Sequence, residues 1–181
     1  MSRRAHRDEV VGDVLPGAVL DGEEFVRCDF DGADLAEIVT RGCRFDACRF
    51  TNADLSGSRH ERSAFTNCDL RRAVLSTAVF AGCKMTGSEL IGARLVGVTI
   101  DGGDWSWVNW RQQSLVGLDL RGVLLVEADL SAADLTDAVL VPSRWPSCGA
   151  PSSTPRADGG PARLPPQPAT AVARDRRCRS R

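Results

Sequence analysis

CDFDGADLAE, residues 28–37, holds two copies of one five-residue phrase: a small residue, an aspartate, a large apolar residue, then two that are polar or small. Counting outward in fives, a large apolar residue recurs from Leu15 to Leu140, and only Thr40 and His60 break the count across 26 consecutive units. A period of five suits neither regular element. On a strand alternate units would flip faces, and on a helix every fifth residue rotates by roughly 140° and forms no stripe. The backbone must therefore turn once per unit. Two positions before each large residue the side chain is usually small, as at Cys28, Ala33, Cys48, Ala53, Cys68, Ala73, Ala93, Ala128 and Ala133, so it can point inward beside a Leu or Phe without overfilling a narrow interior. Two positions after it many units carry a turn-former, such as Gly32, Gly42, Asn52, Gly57, Asn67 and Gly82. Each unit reads as one short extended side and one corner.

A second period of twenty lies over the first. Leu35, Leu55, Leu75, Leu95, Leu115 and Leu135 form one series, Phe25, Phe45, Phe65, Met85 and Trp105 another, and Phe30, Phe50, Leu70, Leu90 and Trp110 a third. Four units per coil stack each series into a ladder. The expected architecture is all-β, a right-handed quadrilateral β-helix of about six and a half coils, rising about 4.8 Å per coil and about 31 Å long. The expected organisation is an N-terminal arm at 1–12, the repeat at 13–142 and a tail at 143–181.

The units ADLAE (33–37), CDFDG (28–32), ADLSG (53–57), CDLRR (68–72), ADLSA (128–132) and ADLTD (133–137) resemble the pentapeptide-repeat family, which folds as a right-handed quadrilateral β-helix. The resemblance covers residues 13–142. The stretch SGSRHERSAFTNCDL (56–70) and the run through LVGVTIDGGDWSWVNW and LVGLDLRG are similar to the Mfp and Qnr type of fluoroquinolone-resistance proteins. Members of that group bind DNA gyrase as mimics of DNA, so the resemblance implies a topoisomerase partner. They dimerise through a helical module after the last coil. This repeat instead stops at Pro142, with Trp145 and Pro146 just beyond and no amphipathic helix after them, so dimerisation by that route is not expected.

Charge and composition bound the rest. Residues 13–142 carry about 20 acidic and 12 basic side chains, residues 143–181 carry 2 and 8, so a net charge of −1 conceals an acidic rod and a basic tail. The tail is rich in Pro, Ser, Ala and Arg and poor in large apolar residues, which marks it as disordered. No apolar run approaches the roughly 18 residues that cross a bilayer, and MSRRAHRDEV has no signal-peptide core, so a cytoplasmic location is expected, without a membrane partner. Five of the seven cysteines, Cys28, Cys43, Cys48, Cys68 and Cys83, keep the spacing of the small inward column and lack the close pairing of metal ligands. No cofactor or metal is expected.

Nor does the repeat read as an enzyme. A filled column offers no pocket, the chain has no Tyr, and no P-loop, dinucleotide fingerprint or HExxH occurs. Of the two histidines, His6 lies in the N-terminal arm, while His60 stands one coil above Thr40 in an inward ladder, where imidazole and hydroxyl would satisfy each other. Function then belongs to the outer surface. The residue before each large apolar one faces outward, and the candidate partner-binding residues are the acids there, Asp29, Asp34, Asp54, Asp69, Glu89, Asp104, Asp119, Asp129 and Asp134, which either mimic a DNA duplex or merely solvate the rod. Direct DNA binding by an acidic rod is not expected. Gln113 in the small inward column implies a bulge or a widened coil, and Trp107, on the corner column, is either an exposed aromatic contact or a ring packed over that bulge. The alternative to a topoisomerase partner is a general protein-interaction scaffold.

Overall fold

In a computed structural model, residues 5–8 and 16–140 are described. The expected tail at 143–181, the ends of the repeat and most of the expected arm lie outside the described residues. Residues 16–140 form a parallel, four-sided β-solenoid of about six turns with no helix. Every coil takes 20 residues, as Val19 pairs with Val39, Val39 with Arg59, Arg59 with Val79 and Val79 with Thr99.

The corner is visible in the backbone. At Gly17, Gly22, Arg27 and every fifth position through Asp137, the residue two after the large apolar one has positive φ, whether it is Gly or not. Non-glycine residues such as Arg27, Glu37, Ala47 and Thr77 accept this left-handed conformation, costing roughly 1–2 kcal/mol each, because the ladder above and below leaves the chain no other way to turn. Two of the four sides are regular sheets. One holds β2 (Val19–Asp21), β4 (Val39–Arg41), β6 (Arg59–Glu61), β8 (Val79–Ala81) and β9 (Thr99–Asp101). The next holds β1 (Ala5–Arg7), β3 (Glu24–Val26), β5 (Arg44–Asp46) and β7 (Ala64–Thr66), and continues through Lys84 to the short pair β10 (Gly103–Asp104) and β11 (Val123–Leu124). The remaining two sides are joined by single bridges, such as Asp29 to Arg49 and Asp34 to Asp54. The sides are numbered in chain order by their inward residue: side I carries Leu35, Leu55 and Leu75, side II Thr40, His60 and Phe80, side III Phe45 and Phe65, side IV Phe50 and Leu70.

The inward assignment holds. Leu35, Leu55, Leu70, Leu75, Leu90, Phe30, Phe50, Phe65, Phe80, Trp105 and Trp110 are buried, with Cys28, Cys48, Cys68, Ala53 and Ala73 buried between them. Like residues stack on like: Phe25, Phe45 and Phe65 lie parallel at 4.9 and 4.7 Å, and Phe30 over Phe50 at 4.7 Å. This spacing is the coil rise itself, so the ladder enforces ring stacking at no cost in fit.

Two features differ from the sequence expectation or extend it. His6, expected in an arm outside the rod, sits in β1, which pairs with β3 in a 19-residue register, and its ring stacks on Phe25 at 4.7 Å. A planar imidazole continues the phenylalanine ladder by one layer and covers its lower end, with Glu23 at 3.4 Å. Thr40 and His60 do pair, at 2.8 Å, and the pair is part of a longer buried chain. His60 Nε2 lies 2.9 Å from Ser58 Oγ, Thr40 Oγ1 donates to Ser63 Oγ at 2.9 Å, and Ser63 donates to the Glu61 carbonyl at 3.3 Å. The direction closes only if Ser58 donates to Nε2 and Nδ1–H donates to Thr40, so the imidazole is the neutral Nδ1–H tautomer. Burial pushes His60 down to about 3.

Candidate interaction surface

The outward residue that precedes each large apolar one has a task inside the fold. Asp29, Asp34, Asp54 and Asp69 each accept, through Oδ1, the backbone N–H two residues on, at 3.0, 3.2, 2.9 and 3.0 Å. Asp104, Asp119, Asp129 and Asp134 do the same at 3.1, 3.0, 2.9 and 3.0 Å. That N–H begins the corner and has no ladder partner, so a short side-chain acceptor at this position completes the turn. Asn109 performs the same bond to Arg111 without a charge. Glu89 makes no such bond, since its chain is one methylene longer, and it faces Arg71 at 3.5 Å instead.

The four sides therefore differ in charge more than the acidic count implies. On side IV the stripe Asp29, Arg49, Asp69, Glu89, Asn109 and Asp129 is bridged coil to coil, and its lower part, from Asp29 to Glu89, is largely neutralised from within, whereas Asp129 has no ion pair among the described residues. Arg49 clasps Asp29 through Nε and Nη2, and Arg71 reaches Asp69 and Glu89. The arginine bonds hold the carboxyls of Asp29 and Asp69 below the usual range. On side II, Arg121 pairs with Asp119 at 2.6 Å and lowers its carboxyl likewise. Side I is different. Asp34 and Asp54 bridge successive coils and Asp134 lies farther along the same side, none with a cation in ion-pair contact among the described residues. The Thr136 hydroxyl and backbone lower Asp134. Glu37 and Asp137 flank this side at its corner, and Arg94 interrupts it.

Of the aromatic candidates, Trp107 is 61% exposed at a corner with φ of 61°, so it is an exposed ring and not one packed over a bulge. It has apolar company, because Val126, whose carbonyl accepts the Trp107 N–H at 2.9 Å, and Leu124 are also exposed. Sequence reasoning missed the arginine clasps on side IV, although Arg71 stands two residues after Asp69, and it missed Ser58 and Ser63 around His60. It also read the aspartates for their charge alone. The signal for their other role was Asn109 in the same column.

A cleft of about 100 Å³ is lined by Leu95, Gly97, Val98, Ser114, Leu115, Val116, Gly117 and Leu118, and a wider one of about 670 Å³ beside it by Thr99, Ile100, Asp101, Asp119 and Arg121 among others. Among the described residues no cluster of His, Cys, Asp and Glu could hold a metal ion, Cys28, Cys43, Cys48, Cys68 and Cys83 are buried, and no helix is long and apolar enough to cross a membrane.

Comparison with known proteins agrees with this geometry. No curated protein sequence matches the chain significantly. Among solved structures, two trypsin-treated variants of QnrB1, a plasmid-mediated fluoroquinolone resistance protein, are similar at 23% identity, with TM-scores of 0.63 and 0.58, each over 75% of this chain and 72% of theirs. A pentapeptide repeat protein, Rfr23, from the cyanobacterium Cyanothece 51142 is 19% identical over 68% of this chain and 88% of its own, with a TM-score of 0.42. The family model described as pentapeptide repeat region matches residues 22–95, and that described as pentapeptide repeats (8 copies) matches residues 106–140. With these matches spanning nearly all of the solenoid, the chain belongs to the pentapeptide-repeat family.

Proposed function

We propose that this protein is a non-enzymatic binding rod whose partner is a type II topoisomerase, DNA gyrase, which it engages as a mimic of DNA and so modulates together with its sensitivity to fluoroquinolones. The observation that carries the reading is side I, where Asp34, Asp54 and Asp134 project without ion pairs from the solenoid. Duplex DNA carries about one negative charge per 1.7 Å, whereas a net charge near −8 over about 31 Å is about one per 4 Å. A mimic so dilute works only where its charge is concentrated and unneutralised, which favours the Asp34 and Asp54 end of side I, away from Arg94, over side IV. Such a partner places the protein in the cytoplasm. The test is a supercoiling assay with purified gyrase and the full chain. Inhibition at micromolar protein that weakens when Asp34 and Asp54 are reversed to Lys supports the reading; no inhibition, and no change of quinolone sensitivity on expression, removes it.

A second reading, a general protein-interaction scaffold, is favoured by a different observation. The clasps of Arg49, Arg71 and Arg121 reduce the negative field, and Trp107, Leu124 and Val126 expose apolar area of the kind that proteins bury against each other. Binding that is insensitive to salt and lost with Trp107→Ala would select it.

A further inference from the structure

Each coil is tied to the next by a repeating ladder of backbone bonds. On side I, Leu55 N–H donates to the Val74 carbonyl and Leu75 N–H to that of Arg94; at the corner Thr77 N–H donates to Val96, and Gly82 N–H to Asp101. The same bonds return higher up, from Leu115 to Asp134, Gly117 to Thr136 and Leu120 to Val139. Between these levels the ladder lapses for half a turn. Among the described residues, Gly92, Leu95, Gly97, Ile100 and Gly102 donate to nothing in the coil above, Ser114 and Asp119 donate to nothing below, and the bridge of Arg94 to Ser114 that the series requires is missing. The bonds are intact just before the lapse, from Leu90 to Asn109 at 3.0 Å, and just after it, from Trp105 to Leu124 at 2.8 Å.

Gln113 stands at the start of the lapse. In this inward column the small residue commonly donates to the carbonyl 23 positions earlier: Cys48 to Phe25, Cys68 to Phe45, Cys83 to His60 and Ser88 to Phe65. Gln113 makes the same bond, Nε2 to the Leu90 carbonyl, but with a side chain two bonds longer than Ser or Cys. An amide that must reach the same acceptor from the same column holds its own backbone away from the coil below. The inward residues of the lower lip record the parting. Leu75 is fully covered but Leu95 is not, and Val98 is 7% exposed where Ala78 is 0%. The cleft described above occupies the gap.

We propose that this half-turn is a hinge. Sides I and II open and close between residues 92–102 and 111–121, the paired sides III and IV act as the spine, and Gln113 is the latch that holds the open form. Closure requires Gln113 to release Leu90, after which Leu95 and Gly97 regain the carbonyls of Ser114 and Val116. The inference rests on the backbone ladder and is independent of the partner. It turns a rod that looks uniform into two stacks whose faces on side I tilt relative to each other.

Amide exchange and ¹⁵N relaxation dispersion on the full chain test it. The amides of Leu95, Gly97, Ile100, Gly102, Ser114 and Asp119 are expected to exchange about 100-fold faster than those of Leu75, Thr77, Gly82 and Thr99, and to show dispersion on the microsecond-to-millisecond scale. Gln113→Ser, which installs the residue type of Ser88, is expected to slow that exchange at least tenfold and abolish the dispersion. Equal protection in the unaltered protein overturns the proposal, as does fast exchange without dispersion, which is a static gap, or a Gln113→Ser variant with both signals unchanged.

Discussion

The coils below residue 91 and those above it follow one repeat yet are held together differently. Below, among the described residues, the interior is a stack of phenylalanines and leucines, His60 lies on Phe80 at 4.8 Å, the ladder is continuous, and Val19 is the large apolar residue left exposed. Above, Trp105 and Trp110, on adjacent sides of one coil, meet at 36° where Phe45 and Phe50 in the same relation meet at 73°, their buried indole N–H groups find no acceptor, and Val96, Trp107, Val116, Leu124, Val126 and Val139 are exposed. An unmade buried hydrogen bond costs roughly 1–3 kcal/mol. In a solenoid each coil contacts only its neighbours, so such defects stay local instead of unfolding the whole. The lower coils behave as the structural stack, and the upper ones accept irregularity in exchange for a surface that can move and make contact.

The largest expected effect tests whether the two stacks differ in core strength. Replacing Leu75, fully buried, by Asp puts an uncompensated charge in the column and is expected to cost about 5 kcal/mol or more, enough to unfold the lower stack. The same change at Leu135, partly exposed near the upper end, should cost roughly 1–2 kcal/mol. Urea denaturation followed by circular dichroism measures both. Equal losses would mean the stacks are equivalent.

Next is the junction itself. Gly103 has φ of 99°, and a Cβ there would stand 2.1 Å from the Cys83 carbonyl oxygen, a backbone atom that cannot swing away. Gly103→Ala should therefore cost roughly 2–4 kcal/mol. Gly117, on the upper lip of the gap, has open space around its Cβ direction, so Gly117→Ala carries only the left-handed penalty of about 1 kcal/mol. Thermal melts of the pair sharpen the contrast between the pressed strand position and the open corner.

His60 supplies a pH test confined to the lower stack. Its folded pKa, about 3, lies below its unfolded value near 6.5, so the unfolded chain takes up the proton first. Its neutral burial costs nothing above pH 6.5, and stability falls as pH drops from 6.5 towards 3. At pH 4.5 the loss is roughly 2–3 kcal/mol. In His60→Phe, where the ring extends the stack onto Phe80, that slope between pH 6.5 and 4.5 should vanish. If it persists, another group is titrating.

How far the sequence could be read follows from what sets each feature. The coil, its inward columns and the Thr40–His60 contact were legible because a strict period of five allows one geometry, and two polar residues twenty apart must then meet. Gln113 announced a disturbance by its size alone. Its extent was not legible, since whether a coil absorbs a long side chain by bulging or by parting from its neighbour depends on packing in three dimensions. His6 was missed because its register is 19, outside the count of five. The neutralised stripe on side IV was missed because Arg71 and Arg49 choose their partners only once the coils are stacked.

The smallest expected effect on stability is the most informative about function, because it separates the two tasks of the aspartates. Asn109 shows that an uncharged amide oxygen closes the corner as a carboxylate does. Replacing Asp34, Asp54 and Asp134 together by Asn should keep each bond to the N–H two residues on, and should shift stability by no more than about 0.5 kcal/mol at neutral pH, while stripping side I of its unpaired charge. The matching Ala variants lose the bond as well, at roughly 0.5–1.5 kcal/mol per site. Melting curves and gyrase inhibition measured on both sets resolve the tasks. If Asn and Ala variants alike abolish inhibition while only Ala lowers the melting temperature, the charge is what the partner reads. If the Asn variant inhibits as well as the unaltered protein, side I is a row of well-made corners and recognition lies with the apolar surface around Trp107.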